Sequence, residues 1–225
     1  MVLLVYGVPV SQPVRAVLFL LELKHLPYKL VTTVPPKDTR TAEFLELNPA
    51  GTIPVIDDEG FVLSESHAIL GYLCSKHGWT DLYPVDLRER ARVDCYLHWH
   101  HGNTRALTKI LFGPLLRPDL NVAFARPSAV KELTRVMEFL ERALSRHNFV
   151  VGDSLTIADL SAHTEIAQCL DFGLADLSNF PSILRWIDRV RKLPGYKESH
   201  DKMLQRLVGY VDKVKEKKKV IPPKL

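Results

Sequence analysis

Hydrophobic positions along the chain fall into two regimes. Over the first 78 residues, short apolar runs alternate with helical stripes. Residues 2–6 (VLLVY) form a continuous apolar run before Gly7 and predict a buried strand. Residues 13–24 place Val14, Val17, Leu18 and Leu21 on one face of a helix. Pro13 suits its first turn, where a missing N–H leaves no bond unmade. Residues 28–34 (YKLVTTV) predict a second strand, broken by Pro35-Pro36-Lys37. A short helix in TAEFLELNP stops at Asn48-Pro49, because proline disfavours helical backbone at the residue before it. TIPVIDDEGFVLSE gives two strand-like runs around Asp57-Asp58-Glu59-Gly60, a hairpin signal. SESHAILGYLCSKHG predicts a helix capped by Ser64 and closed by Gly78.

After GWTDLYPVD the strand pattern stops. Helical periodicity covers residues 87–112, 128–147, 156–171, 181–192 and 196–213, with Phe180-Pro181 and Leu193-Pro194-Gly195 separating the last ones. A parallel unit, a hairpin and a covering helix make a small α/β domain, and the rest of the chain reads as all-α. The expected division is a first domain at 1–78, a linker at 79–86, a helical domain at 87–213 and a tail at 214–225. The sequence shows no internal repeat.

Composition narrows the classes. A chain of 225 residues suffices for one large domain or two small ones sharing an interface. Hydrophobic residues at 46% and charged residues at 25% are ordinary for a globular protein. No apolar run reaches the roughly 20 residues of a membrane span. The N-terminus lacks the basic start and small-residue cleavage site of a signal peptide. Cys74, Cys95 and Cys169 are odd in number and far apart, so neither a disulfide framework nor a zinc site is indicated. A reducing intracellular compartment is the expectation. The net charge of +4 resides in residues 212–225, which hold six lysines and two acids and leave 24 basic and 24 acidic residues elsewhere. That balance gives no support to a nucleic-acid-binding face, and the tail is expected to be a solvated or mobile end.

Three places carry candidate chemistry. In Thr52-Ile53-Pro54-Val55, a proline where a strand begins suggests a cis bond that aims the Ile53 backbone outward, free to pair with an extended peptide ligand. An ordinary edge-strand proline is the other reading. At Ser64-Glu65-Ser66 the chain enters a helix, where free N–H groups and the dipole favour an anion. A ligand carboxylate would sit on Ser66 and a ligand ammonium on Glu65; a simple capping cluster accounts for the same residues. Ser11 lies at the entry to the first helix, where a hydroxyl either caps the helix or donates outward to a bound anion. Taken together, the three places describe one extended thiol tripeptide.

With SQPVRAV after the first strand, NPAGTIPVI, LSESHAILGYL, LYPVDLRERARVDCYLHWHHGN and LTIADLSA, the chain resembles the glutathione transferase superfamily, most closely the theta class. These stretches span essentially the full length, and ESHAIL and WHHGN look most like plant theta enzymes. The resemblance implies a thioredoxin-like first domain, an all-helical second domain and a homodimer. It assigns Ser11 to the glutathione sulfur, Ile53 before cis-Pro54 to the cysteinyl backbone, and Glu65 and Ser66 to the γ-glutamyl end, with Gln12 beside that end. Thr156 to Asp159 match the family's capping box, with Leu155 and Leu160 as its staple. Theta enzymes often hold the glycyl carboxylate with a His or Lys; here the matching stretch is Lys37-Asp38-Thr39-Arg40, so Arg40 or Lys37 takes that place. Arg105 aligns with an active-site arginine of some theta members, although by periodicity alone it is a helix-surface charge.

The resemblance also implies a reaction. A glutathione thiol has a pKa near 8.5, as a cysteine does, and only its thiolate attacks well. A shift of two pKa units is about 2.7 kcal/mol, within reach of one charge-assisted hydrogen bond plus a helix dipole. The thiolate then attacks a small electrophile or a hydroperoxide oxygen, with no cofactor and no covalent link to the protein. Tyr6, at the strand end, is a rival to Ser11, since other transferase classes use a tyrosine there. Histidines 98, 100 and 101 do not predict a metal, because 98 and 101 share a helical face while 100 points elsewhere. A carrier of hydrophobic ligands and a protein-interaction module are the alternative functions. The expected location is the cytoplasm, with the peroxisome as an alternative because Pro223-Lys224-Leu225 resembles the peroxisomal SKL signal.

Overall fold

A computed structural model describes residues 2–116, 124 and 126–225. Strands β1 (Leu3–Gly7), β2 (Tyr28–Thr32), β3 (Val55–Asp58) and β4 (Phe61–Ser64) form one sheet in the order β2-β1-β3-β4. β1 runs parallel to β2 and antiparallel to β3, and β3 and β4 make the hairpin. Helices α1 (Gln12–Leu23), α2 (Ala42–Leu47) and α3 (Ser66–His77) complete the first domain. Among the described residues the remaining regular elements are helical: α4 (Leu87–Gly102), a π-helical turn at Thr108–Phe112, α5 (Gly113–Leu116), α6 (Pro127–Leu144), α7 (Ile157–Asp171), α8 (Pro181–Arg191) and α9 (Tyr196–Lys218). The α/β domain joined to an all-α domain is the architecture the apolar pattern predicts.

Two helices sit deeper than an amphipathic pattern implies. Residues 14–21 of α1 are all buried, Arg15 included, because α1 packs against α3 on one side and α7 and α9 on the other. In α7, residues 157–169 are all buried. Gly7 permits the close approach at the head of α1, since a Cβ there would lie 2.6 Å from Cγ2 of Val14. The predicted capping box opens α7: the Asp159 carboxylate accepts the Thr156 backbone N–H at 3.0 Å, and also those of Val150 and the Trp186 indole at 2.9 Å. Leu155 and Leu160 both join the core.

The structure corrects three expectations. Ser64 is the last residue of β4, and Glu65 rather than Ser64 occupies the N-cap of α3. The helix read over 87–112 is interrupted: the Asn103 side-chain amide donates to the Trp99 carbonyl at 2.9 Å, and Asn103 leaves helical backbone at φ −122°. Gly102-Asn103 is a stop signal that apolar periodicity does not register. Finally, α9 continues past 213 to Lys218 and the tail folds back. Lys215 and Lys218 donate to the carbonyls of Phe172 and Pro114 at 2.7 and 2.8 Å. Leu225 is 3% exposed, and its N–H donates to the Asp176 carbonyl at 3.2 Å. Lysines that reach helix-end carbonyls and a terminal leucine that finds apolar cover anchor what charge alone predicts to be loose.

Candidate functional site

The loop before β3 is built by Asn48. Its side-chain amide donates to the Thr52 carbonyl at 2.9 Å, and its side-chain oxygen accepts the Ala50 N–H at 3.2 Å. The Ile53-Pro54 bond beyond it is cis. Arg40 is drawn against the same loop: Gly51 has φ +62°, and a Cβ there would meet Arg40 Nη1 at 2.8 Å and the Thr39 carbonyl at 2.9 Å. Glycine is what allows both the turn and that contact.

The start of α3 supplies the next wall. Glu65 has φ 69° and ψ 109°, a region sparsely populated by residues with a Cβ. Such geometry costs on the order of 1–3 kcal/mol and persists where surrounding structure enforces it. Ser66 comes next, 8% exposed. His67 then bridges the domains, its Nε2 lying 2.7 Å from the Ser161 hydroxyl of α7.

Ser11 occupies the N-cap of α1, yet its side chain accepts no bond from the helix. The loop carrying it is held from behind by Arg15, whose Nη1 donates to the carbonyls of Pro9 and Val10 at 2.9 and 3.0 Å. Nη2 of Arg15 donates to the Thr164 carbonyl at 3.1 Å, so the loop is tied to α7. Burial lowers the Arg15 pKa to about 10, which still leaves the guanidinium charged at neutral pH. Tyr6 meets Phe44 of α2 edge-on, with ring centroids 6.4 Å apart.

Between the domains lies a cavity of about 200 Å³. The first domain lines it with Pro13, Ile53, Pro54, Glu65, Ser66 and His67, and the second with His100, His101, Arg105, Ser161 and Glu165. Of the sequence-predicted site residues, Ile53, Pro54, Glu65, Ser66 and Arg105 are thus brought together. Ser11 and Arg40 flank the lining loops without entering the wall. Gln12 turns inward: it is 3% exposed, and its amide donates to Gln168 at 2.6 Å.

Arg105 is more than a surface charge. It donates to the Glu165 carboxylate and, at 3.3 Å, to the Gln12 side-chain oxygen. Glu165, 1% exposed, also accepts from the Thr108 hydroxyl. The Thr108 hydroxyl in turn accepts from Gln168 at 2.5 Å. A buried carboxylate is stable in such a setting because each oxygen has a donor. The histidines also differ from expectation. His100 and His101 both face His67, with centroids 5.0 and 4.5 Å away, while His98 is exposed and outside the cavity wall. Positions 100 and 101 straddle the seam where α4 meets α3, which a one-helix view does not reveal. Among the described residues no group of three or more His, Cys, Asp or Glu is arranged to hold a metal ion.

Sequence reading missed Arg15, His67, Thr108, Ser161, Glu165 and Gln168. The available signal was a set of polar residues within otherwise apolar helical stretches, above all Thr164, Glu165 and Gln168 in α7. The arrangement presents an outward-facing loop edge, a helix N-terminus and a guanidinium around one cleft, which suits an extended anionic peptide.

Comparisons with known proteins bear on this geometry. Residues 5–81 match the family described as glutathione S-transferase, N-terminal domain, and residues 104–194 match glutathione S-transferase, C-terminal domain. Glutathione S-transferase theta-2 of Rattus norvegicus is 35% identical over 211 residues, covering 88% of this chain and 85% of that protein. Among solved structures, a delta-class glutathione transferase of Nilaparvata lugens matches with a TM-score of 0.85 at 30% identity, over 94% of this chain and 99% of that one. A glutathione transferase homologue from Drosophila mojavensis, solved with bound glutathione, matches with a TM-score of 0.81 at 30% identity, over 100% and 99% of the two chains.

Proposed function

The chain belongs to the glutathione S-transferase family, and from that premise we propose a theta-type enzyme in which the Ser11 hydroxyl holds the glutathione sulfur as a thiolate. One observation carries the choice of Ser11: its hydroxyl sits at the N-cap of α1 without serving as the cap, on a loop that Arg15 fixes. An uncommitted donor beside free helix N–H groups favours an anion. Ile53 pairs with the cysteinyl backbone, Glu65 and Ser66 receive the γ-glutamyl end, and Arg40 approaches the glycyl carboxylate. Gln12 lies beside the γ-glutamyl end, held by Gln168 behind it and by Arg105 of the cavity wall. The thiolate attacks a small electrophile or a hydroperoxide; glutathione is the co-substrate of the family.

Calorimetry with millimolar glutathione, followed by turnover on alkyl halides, cumene hydroperoxide and a chlorinated nitrobenzene, tests this reading. We expect binding, and more turnover on the halides and the hydroperoxide than on the nitrobenzene. No binding would overturn the assignment, and binding without any turnover would favour the carrier.

The proposed assembly is a homodimer. Phe61 on β4, Val85, Leu87 and Phe139 are 49–79% exposed, so apolar surface lies on both the first domain and the second-domain helices that the family pairs across subunits. Light scattering at micromolar concentration should give twice the chain mass. No helix among the described residues is long and apolar enough to cross a membrane. The proposed compartment is the cytoplasm. Peroxisomal delivery by Pro223-Lys224-Leu225 would require Leu225 to leave its seat beside Asp176, and an N-terminal fluorescent fusion reports which occurs.

A further inference from the structure

Glu65 and Ser66 carry the chain from β4 into α3, and the backbone there is not self-supporting. Glu65 stands at φ 69° and ψ 109° without a glycine's freedom, and as the N-cap of α3 it makes no side-chain cap bond. Backbone in such a region persists only where its surroundings over-determine it. Anchors therefore have to lie on either side of the pair. On the strand side, Ser64 pairs with Val55 in the β3–β4 ladder, next to Pro54 of the cavity wall. On the helix side, His67 reaches out of its own domain, and its Nε2 lies 2.7 Å from the Ser161 hydroxyl of α7.

The surroundings of His67 keep that reach in place. His100 and His101 of α4 pack on its ring, with centroids 5.0 and 4.5 Å away, so the ring has little room to swing aside. Ser161 is 4% exposed, in a helix whose residues 157–169 are all buried, so the anchor point is as fixed as the core. Burial, reinforced by His101, lowers the His67 pKa to about 3 and leaves the ring neutral at neutral pH. An imidazolium two residues from Glu65 would compete with a ligand ammonium for its carboxylate, and a neutral ring does not. Glu65, Ser66, His67 and Ser161 all line the one cavity between the domains.

We propose that His67 is the positioning residue for the γ-glutamyl end of glutathione, because its bond to Ser161 of the helical domain fixes Glu65 and Ser66 of the first domain in the geometry that receives that end. The role rests on the glutathione reading above. His67 acts on the ligand through its two neighbours in sequence, so it sets the affinity for the γ-glutamyl group and leaves the sulfur at Ser11 alone. Recognition of that end of the ligand thereby depends on the docking of both domains.

Three variants test the role. Ser161→Ala deletes the partner hydroxyl, His67→Leu deletes the bond from the other side, and His67→Gln supplies an amide that both donates and accepts. Calorimetry compares S-hexylglutathione with S-hexylcysteinylglycine, which lacks the γ-glutamyl group, so the ratio of the two Kd values isolates that group without any turnover. The preference for S-hexylglutathione should fall at least about fivefold in Ser161→Ala and in His67→Leu, the loss expected when one partner of an enclosed hydrogen bond is removed. His67→Gln should recover most of it. The absorbance titration of bound glutathione thiolate should not move in any of the three. An unchanged preference in Ser161→Ala overturns the role, and that variant decides alone if His67→Leu fails to fold. Equal loss of affinity for both ligands, no recovery in His67→Gln, or a shifted thiolate titration overturns it as well. Native protein that binds both ligands equally removes the γ-glutamyl cradle and this role with it. Native protein that binds neither ligand, nor glutathione itself, removes the transferase reading instead.

Discussion

Ser11 and Tyr6 pose the sharpest question at the scale of single residues. Both hydroxyls belong to the segment that leads from β1 into α1, but their surroundings separate them. Tyr6 spends its ring on Phe44, whereas Ser11 stands at a helix entry with no cap bond to make. Ser11→Ala should therefore raise the pKa of bound glutathione by at least one unit, about 1.4 kcal/mol. Turnover at neutral pH should fall at least about tenfold where thiolate supply limits the rate. The same substitution should cost less than about 0.5 kcal/mol of stability, because a bonded N-cap is worth about 1 kcal/mol and this one is not bonded. Tyr6→Phe should retain most activity. Ultraviolet titration of the thiolate in both variants decides between them; a larger shift from Tyr6→Phe would make tyrosine the sulfur's partner.

Between elements, the close approach of α1 and α9 depends on one glycine. Gly195 has φ +78° at the N-cap of α9, and a Cβ there would lie 2.6 Å from the Leu23 N and 2.7 Å from the Glu22 carbonyl carbon. Those atoms are backbone, so they cannot swing away as a side-chain end would. Gly195→Ala combines left-handed strain with this clash and should destabilise by at least about 2 kcal/mol, read from urea denaturation. The joint matters for the site because α1 carries Ser11 at its other end. Gly195→Ala in a protein that still folds should thus weaken glutathione binding as well. A change below about 0.5 kcal/mol would mean that α1 and α9 part without penalty.

Across the whole molecule, buried histidines set the response to acid. Burial lowers the pKa of His67 and His163 to about 3 and holds His100 and His200 well below the ordinary value. The unfolded chain takes up a proton at each near pH 6.5, and the folded chain refuses it until far lower. Stability is therefore lost as pH falls through 6.5 toward 3, at up to about 1.4 kcal/mol per pH unit for each group. Asp159 acts in the opposite sense. Burial raises its pKa to about 6 despite its hydrogen bonds, so the folded state keeps a proton between 3.8 and 6 that the unfolded state gives up. Asp171, whose pKa burial also raises, acts in the same sense as Asp159, and two carboxyls against four histidines leave a net loss. Urea unfolding at pH 5.5 should show at least about 2 kcal/mol less stability than at pH 7.0, and His163→Leu should flatten that slope. Stability that is flat or rises on acidification would contradict the neutral state of these histidines.

The sequence by itself determined most elements of the first domain and marked its candidate site residues. Period-two and period-3.6 apolar patterns are local, so β1, α1, the β3–β4 hairpin and the Gly78 helix end are legible residue by residue. Ile53-Pro54 and Glu65-Ser66 are legible for the same reason: each is a short stretch whose neighbours in sequence are its neighbours in space. Tertiary structure alone decided what lies opposite them. Arg15 reads as one more helix charge until α7 offers it the Thr164 carbonyl, and the bond from Gln12 to Gln168 joins residues 156 positions apart. Arg105 and Glu165 are 60 residues apart and meet only across packed helices. His67 and the two histidines packed on it come from two elements, α3 and α4, so no single helical period could bring them together. The tail reads as loose because charge is visible in sequence, while the carbonyls of Phe172 and Pro114 and the seat of Leu225 exist only once α9 has packed. Hydrogen bonding and burial between distant segments depend on where the chain returns to itself, and local pattern does not encode that return.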